Sequence, residues 1–283
     1  MLAAQPLNIS EALTLGERAL RMVGIDSAKA ESLWLLSEVT GLSRNELFLA
    51  SKRSLELKEQ KLFLSHLERR RNREPLQYIL GHSYFYGLRL KVTSDVLIPR
   101  PETESLVELA LNLLKGLKQP IILDLGTGSG AIALSLKHER PDAEVIASDI
   151  SAKALEVAQR NASELNLKID FYQADLFKGL EEILPELDLL ISNPPYLLAT
   201  DEGQLAPELS AEPALALYAG EDGLDVIRPL ILEAKNHLKK GVQLLIELDP
   251  RAMPQSLALA KDYAEVKNYK DLLGRERFLW LER

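Results

Sequence analysis

Ile121-Ile122-Leu123-Asp124-Leu125-Gly126-Thr127-Gly128-Ser129-Gly130 is the stretch whose reading decides the fold. Its first half is a short, bounded aliphatic run, the pattern of a buried strand. Its second half places glycine at every other position, which lets the backbone turn sharply and approach a ligand closely. A helix follows over 131–137. The same alternation continues downstream, with strands at 144–148, 169–173, 187–192 and 242–248 and helices at 152–165 and 224–238. A short helical piece is expected after 173. Strands alternating with helices imply an α/β fold, a mostly parallel sheet covered on both faces. The segments 264–269 and 277–281 are expected to close it as an antiparallel hairpin.

Upstream, residues 9–73 read as a small all-α domain. Leu13, Ala19, Leu20 and Val23 lie at helical spacings before a stop at Gly24. Asp26 or Ser27 is placed to cap a second helix carrying Ala30, Leu33, Trp34 and Val39, which Gly41 closes. Ser43 and Glu46 have capping-box spacing for a short third helix. Leu55, Leu62, Leu64 and Leu67 belong to a longer fourth, with His66 on its surface. The expected domains are 1–73, a connector at 74–95 with a hairpin around Gly87, and 96–283. In Leu97-Ile98-Pro99-Arg100-Pro101-Glu102-Thr103-Glu104, the prolines hold Arg100 extended and Pro101 opens a helix. Arg100, Glu102 and Glu104 could simply decorate that helix start, where acids are favoured, and spacing alone assigns them no chemistry.

Composition narrows the class. With 283 residues, 46% of them hydrophobic, the chain suits one large domain and a smaller one. The absence of cysteine excludes disulfides, thiolate metal sites and cysteine nucleophiles; no metal ligand set is assigned. Met1-Leu2-Ala3-Ala4-Gln5-Pro6 lacks a basic stretch followed by an apolar core, and no apolar run reaches the ~20 residues of a membrane span. A cytoplasmic protein is expected. A net charge of −8 argues against general nucleic-acid binding. The charge is uneven: 52–73 carries eight basic residues against three acidic, leaving −13 on the remainder. The basic stretch reads as a solvated helix whose terminal arginines complement its dipole.

Asp149 ends the next strand about twenty residues beyond the glycine loop, placed to accept from a ribose diol. Glycine loop and acid together suit either a nicotinamide cofactor or S-adenosyl-L-methionine. Asp175, after the third strand, is placed either to accept from an adenine amino group, with Leu176 or Phe177 as apolar wall, or to cap a helix. Asn193-Pro194-Pro195-Tyr196 separates the two cofactors. Two prolines without N–H leave the Asn193 and Pro194 carbonyls less absorbed in local turns, beside a carboxamide and an aromatic face. Such a clamp suits an NH2 group, which hydride transfer does not need and nitrogen methylation does.

With these motifs the sequence resembles the class I S-adenosylmethionine-dependent methyltransferases, specifically the HemK/PrmC family, which methylate the glutamine amide of class I peptide chain release factors. The resemblance spans Pro75-Leu76-Gln77-Tyr78-Ile79-Leu80-Gly81, the 97–104 stretch, 123–134, Ser192 to Tyr196 and Asp271-Leu272-Leu273-Gly274-Arg275-Glu276-Arg277. It implies a Rossmann-like sheet with a helical substrate-recognition domain. Gly126, Thr127, Gly128, Ser129, Gly130, Asp149, Asp175, Leu176 and Asn193 would bind the donor. Asn193, Pro194, Pro195 and Tyr196 would hold the glutamine of a GGQ-containing domain, with Asn193, Pro194 and Tyr196 in catalysis. The expected partner is a release factor, with no stable nucleic acid and no membrane, and the expected state is a monomer. The alternatives are a ribosomal-protein glutamine methyltransferase, an adenine-specific DNA methyltransferase, and a binding module without chemistry. Glu247-Leu248-Asp249-Pro250-Arg251 departs from the family pattern and is given no role.

Overall fold

The computed structural model describes residues 6–283; the reading made of the first five residues lies outside them. The chain divides into two compact units, Met1–Gly81 with Pro207–Ala211, and His82–Ala206 with Glu212–Arg283.

The first unit holds helices α1 (Ile9–Arg21), α2 (Ala28–Thr40), α3 (Arg44–Leu49), α4 (Leu57–Arg71) and α5 (Leu76–Leu80). Capping boxes start α1 at Asn8/Glu11 and α3 at Ser43/Glu46, and Gly41 closes α2 in a left-handed conformation. Ser27 caps no backbone N–H; its hydroxyl donates instead to Glu31 at 2.7 Å. The core is Ile9, Leu20, Leu35, Leu36, Leu47 and Phe63, all fully buried.

Two expectations about α4 are corrected. His66 is buried, not superficial; its Nδ1 has no hydrogen-bond partner, and burial, with the nearby Arg69 charge, pushes its pKa down. Arg70 is likewise buried, not solvated. Its Nε donates to Glu31 Oε2 at 2.5 Å and its Nη1 to Glu208 Oε1 at 2.9 Å. A guanidinium out of water needs such partners, and these lie too far along the chain for helical spacing to reveal. Of the leucines read into this helix, Leu62 and Leu64 are exposed, while Leu67 turns inward with Phe63.

The second unit opens with the antiparallel hairpin β1 (His82–Phe85) and β2 (Leu88–Lys91). A 3-10 turn (Pro101–Thr103) leads into α6 (Glu104–Leu113), followed by β3 (Ile121–Leu125), α7 (Ala131–Glu139), β4 (Glu144–Asp149), α8 (Ala152–Leu165), β5 (Asp170–Gln173) and β6 (Leu189–Ser192). Then come α9 (Ala214–Leu217), α10 (Ile227–His237), β7 (Gln243–Glu247), α11 (Met253–Leu259), β8 (Glu265–Lys270) and β9 (Glu276–Glu282). The short helix α11 is one the sequence reading did not place. The seven-stranded sheet runs β5-β4-β3-β6-β7-β9-β8, parallel except where β9 pairs with β7 and β8.

Alternate residues of each central strand enter different cores, as the two-residue period of a strand requires. Leu123, Leu190 and Leu244 pack with Leu230, Ile231 and Ala234 of α10 on one face. Ile122, Leu189 and Leu245 pack with Leu106 and Val107 of α6 and with α7 on the other. Asn161 of α8 ties the hairpin to the glycine loop: its Oδ1 accepts from Lys91 N at 2.7 Å while its Nδ2 donates to Ser129 O at 2.8 Å. After β3 the strand order proceeds outward through β4 and β5, then returns to the other side of β3 with β6. The crevice at such a reversal is where open α/β sheets bind ligands. Among the described residues no helix is long and apolar enough to cross a membrane.

Candidate active site

Strand register builds the site. Leu125 pairs with Ser148 on one side and Ser192 on the other, and Ser192 pairs with Ile246. The next residue of each strand, or of the loop it feeds, therefore stands in one row at the carboxyl edge: Asp149, Gly126, Asn193, Glu247. Glu247 pairs in turn with Phe278, beside Arg277. The loops are pinned at their bases: Gly126 and Thr127 donate backbone N–H bonds to Ser148 O at 2.8 and 2.9 Å, and the Ser192 hydroxyl donates to Leu125 O at 2.7 Å.

A cleft of about 280 Å³ opens over this row. Gly126, Thr127, Gly128, Ser129, Asp149, Asp175, Leu176, Asn193, Pro194 and Pro195 all line it. Gly126 and Gly128 have φ of +76° and +56°, values that favour glycine, and a Cβ built on either would meet nothing within 4 Å. Gly130 stands off the lining, at the N-cap of α7 against Leu134. Leu176 lines the cleft at the unusual φ of +51° for a branched residue. Phe177, the alternative apolar wall, faces the core instead and stacks on His237 with ring centroids 5.0 Å apart.

The acids divide by environment. Asp149 Oδ2 accepts from Gly128 N and its Oδ1 from Ser151 N, each at 2.9 Å. Burial raises its pKa while these N–H donors oppose the rise. Asp124 is wholly buried beneath the loop. Its Oδ2 accepts from the Thr127 hydroxyl at 2.6 Å and from Ala133 N at 3.2 Å, its Oδ1 has no partner, and burial pushes its pKa up to about 7. Arg100 does not decorate a helix start: its Nη2 donates at 2.6 Å to the buried Glu212, whose other oxygen accepts from Ile98 N at 3.0 Å. Glu104 accepts from Tyr86 N at 2.8 Å, and Glu102 stands 3.7 Å from Arg275.

Asn193 Nδ2 donates to Thr103 Oγ1 at 3.1 Å, so Oδ1 remains its open acceptor. Among the described residues no backbone N–H bonds to the Asn193 or Pro194 carbonyl. Tyr196 is not in the lining; its ring packs behind, with the Arg277 guanidinium 5.9 Å from the ring centroid. The Tyr196 hydroxyl donates to Glu247 Oε1 at 3.4 Å and accepts from Arg277 Nη1 at 3.3 Å. Burial, then the Glu247 charge, pushes its pKa up to about 12.

Comparison with known proteins adds the decisive observation. A release factor glutamine methyltransferase from Deinococcus radiodurans is 41% identical over 98% of this chain and 99% of its own length. This chain belongs to the release factor glutamine methyltransferase family. A relative of the same name from Coxiella burnetii is 38% identical over 98% of this chain and 96% of its own. Family models for the PrmC N-terminal domain and the methyltransferase small domain match residues 11–81 and 105–220. Among solved structures, the hMettl16 catalytic domain, in complex with an RNA hairpin, aligns with a TM-score of 0.56 at 17% identity, over 79% of this chain and 80% of that one. The Thermus thermophilus 16S rRNA methyltransferase RsmC, in complex with AdoMet and guanosine, aligns with a TM-score of 0.51 at 19% identity, over 71% of this chain and 49% of its own. At these identities the two structures establish the methyltransferase fold.

Within this methyltransferase the sequence reading missed Thr103, Glu247 and Arg277. Glu247 carried one usable signal: a carboxylate closing an aliphatic strand beside other strand ends has to be paired with something.

Proposed function

We propose that this protein transfers a methyl group from S-adenosyl-L-methionine to the side-chain amide nitrogen of the glutamine in the GGQ motif of class I peptide chain release factors. One observation carries the reading: the Asn193 carboxamide, with its NH2 engaged by Thr103 and its oxygen left open, lies in the same cleft as the glycine loop and Asp149. The relatives' names support the release factor as substrate.

The residues present fit the donor. Gly126 and Gly128 leave open space where side chains would stand. Asp95, Asp149, Asp175 and Asp225 line the cleft against the single cation Arg100, which suits a positively charged ligand. When bound, S-adenosyl-L-methionine supplies an electrophilic methyl group on a cationic sulfur. Asp149 keeps lone pairs for the ribose hydroxyls after accepting from Gly128 and Ser151. Gly126, Thr127, Gly128, Ser129 and Leu176 would frame the donor, with Gly130 shaping the loop from behind, and Asp175 would take the adenine amino group.

A glutamine amide nitrogen is a weak nucleophile because its lone pair is delocalised into the carbonyl. Asn193 Oδ1 and the Pro194 carbonyl would accept its two hydrogens and turn the lone pair into the cleft. The gain is orientation and fixed dipoles rather than a strong base. The nitrogen would gain the methyl group as that carbon's bond to the donor sulfur breaks, leaving a neutral thioether, and would release one proton to water. Pro195 holds the turn rigid, and Tyr196 backs the amide plane. We assign residues 1–73 to substrate recognition, 74–95 to the connector and 96–283 to transfer, in a cytoplasmic monomer acting on protein and not on nucleic acid or membrane. The acidic cleft would steer a basic partner, so association should weaken with salt.

The test offers methyl-labelled donor in parallel to a release factor, the same factor with its GGQ glutamine replaced, ribosomal protein, and DNA. Label confined to the intact release factor is expected. Label on DNA, on ribosomal protein, or on the replaced factor overturns the assignment.

A further inference from the structure

Two loops leave neighbouring strands of the sheet unit side by side. Asn193-Pro194-Pro195-Tyr196 follows β6, and Leu248-Asp249-Pro250-Arg251 follows β7, its parallel partner. One side chain joins them. Arg251 Nη1 and Nη2 donate to Asp201 Oδ1 and Oδ2 at 3.1 and 2.7 Å, while Nε and Nη2 donate to Asp249 Oδ1 and Oδ2 at 2.9 and 3.0 Å. A guanidinium fork on two carboxylates is the strong form of an ion pair, and such a network holds where an isolated surface pair contributes little. Its base is firm. Arg251 N donates to Asp249 Oδ1 at 2.8 Å, Ala252 N donates to Asp249 O at 2.9 Å, and Ala252 and Met253 are buried.

Asp201 closes the 3-10 turn Ala199–Asp201, and its Oδ2 also accepts from Leu198 N at 3.2 Å. Between Tyr196 and that turn the backbone is tied to 217–220: Leu197 N donates to Leu217 O at 2.9 Å, Ala219 N to Leu197 O at 2.9 Å, and Ala199 N to Gly220 O at 2.8 Å. Those partners belong to the end of α9 and the loop after it, not to the sheet. The ionic tie from this exit to the sheet is Arg251. Two successive prolines leave few soft torsions between Asn193 and Tyr196, so a shift at the exit is passed back along the motif rather than absorbed.

We propose that Arg251 is a positioning residue for methyl transfer: by pinning the 199–201 turn to the end of β7, it holds Asn193 and the Pro194 carbonyl in register with the cleft. It acts through the motif and touches no ligand. The stretch beyond Glu247 that departs from the family pattern thereby gains a role. The inference rests on the proposed role of Asn193 and Pro194 as acceptors of the glutamine amide hydrogens.

Amide hydrogen exchange on the full-length protein, with no substrate present, reads the tie directly. In Arg251→Leu the N–H groups of Leu197, Ala199 and Ala219 should exchange at least ~10-fold faster than in wild type, while those of β3 and β4 keep their rates. In the methylation assay Arg251→Leu should lower kcat ~10-fold or more, the scale of a small misplacement at the reacting centre. Donor affinity by calorimetry should stay within ~2-fold, and KM for the release factor should not rise, because the variant is more acidic than wild type and attracts a basic partner at least as well. Arg251→Lys keeps the charge without the fork and should recover only part of the rate. Asp201→Asn, which can still accept from Leu198 N, should reproduce Arg251→Leu, and the two together should cost no more than either alone. Unchanged exchange in Arg251→Leu overturns the inference. Faster exchange with unchanged kcat overturns it too, since the pair is then a surface brace with no bearing on transfer. A wild-type protein that labels ribosomal protein or DNA instead of a release factor overturns the substrate, and the kcat comparison is then read on that acceptor.

Discussion

Each unit of this protein buries a charge cluster, and the two are built to different tolerances. In the helical unit Arg70 is saturated: Glu31 takes its Nε at 2.5 Å and its Nη2 at 3.3 Å, while Glu208 takes its Nη1 at 2.9 Å. In the sheet unit Arg277 reaches Tyr196 at 3.3 Å, Asp271 at 3.4 Å and Glu247 at 3.6 Å, and its Nε completes no hydrogen bond. The first cluster spans helices and the 207–211 turn and has no spare capacity, as suits a staple. The second leaves Glu247 Oε2 and Arg277 Nε unmatched, and stands directly behind the cleft. Unsatisfied buried polar groups cost stability, so the second cluster is the less stabilising of the two.

The contrast breaks first at Arg70. Arg70→Met strands the buried Glu31, while Glu208 keeps Arg73 at 3.0 Å, and should cost about 3–5 kcal/mol in chemical denaturation of the helical unit. Arg277→Met should cost less, because Glu247, already raised by burial, takes up a proton instead; equal losses would erase the distinction. Next comes Asn193→Ala, expected to lower kcat ~100- to 1,000-fold with donor binding preserved, the scale of removing one preorganised polar contact. Wild-type turnover in that variant would sink its role. Asp149→Ala should weaken donor binding ~10- to 100-fold by calorimetry, in line with loss of charged hydrogen bonds, and leave the unfolding midpoint of the helical unit unmoved. The smallest effect is in pH. Asp124 holds its proton to about 7 when folded, against 3.8 for an ordinary Asp carboxyl. The folded state therefore binds a proton that the unfolded chain has released, and stability falls as pH rises through that window. The slope is at most ~1.4 kcal/mol per pH unit. Asp124→Asn should flatten it between pH 5 and 7 in denaturation midpoints.

How much of this was legible in sequence follows from separation along the chain. Strands and helices were, because their two- and 3.6-residue periods are local. The glycine loop and the Asn-Pro-Pro-Tyr turn were, because each is contiguous. Sheet order was not: β3 pairs with β6 across more than sixty residues, and no local pattern specifies that partner. The supports of the site were hidden for the same reason, with Thr103 and Asn193 standing 90 positions apart and Tyr196 and Glu247 51 apart. His66 and Arg70 were misread because helical spacing tells which residues share a face and not whether a distant carboxylate waits there. Arg70's partners lie 39 and 138 positions away. Resemblance to a known family located the cleft residues but passed over Glu247, where the local pattern departs.

The strand order has a consequence for how this enzyme is made. β9 follows every other strand of this sheet along the chain, yet it sits between β7 and β8 and brings Arg277 with it. Chains fold from the amino terminus as they emerge, so the glycine loop and β3 to β6 are free to assemble early. Tyr196 and Glu247 must wait, without their arginine, until the sheet unit is almost wholly translated.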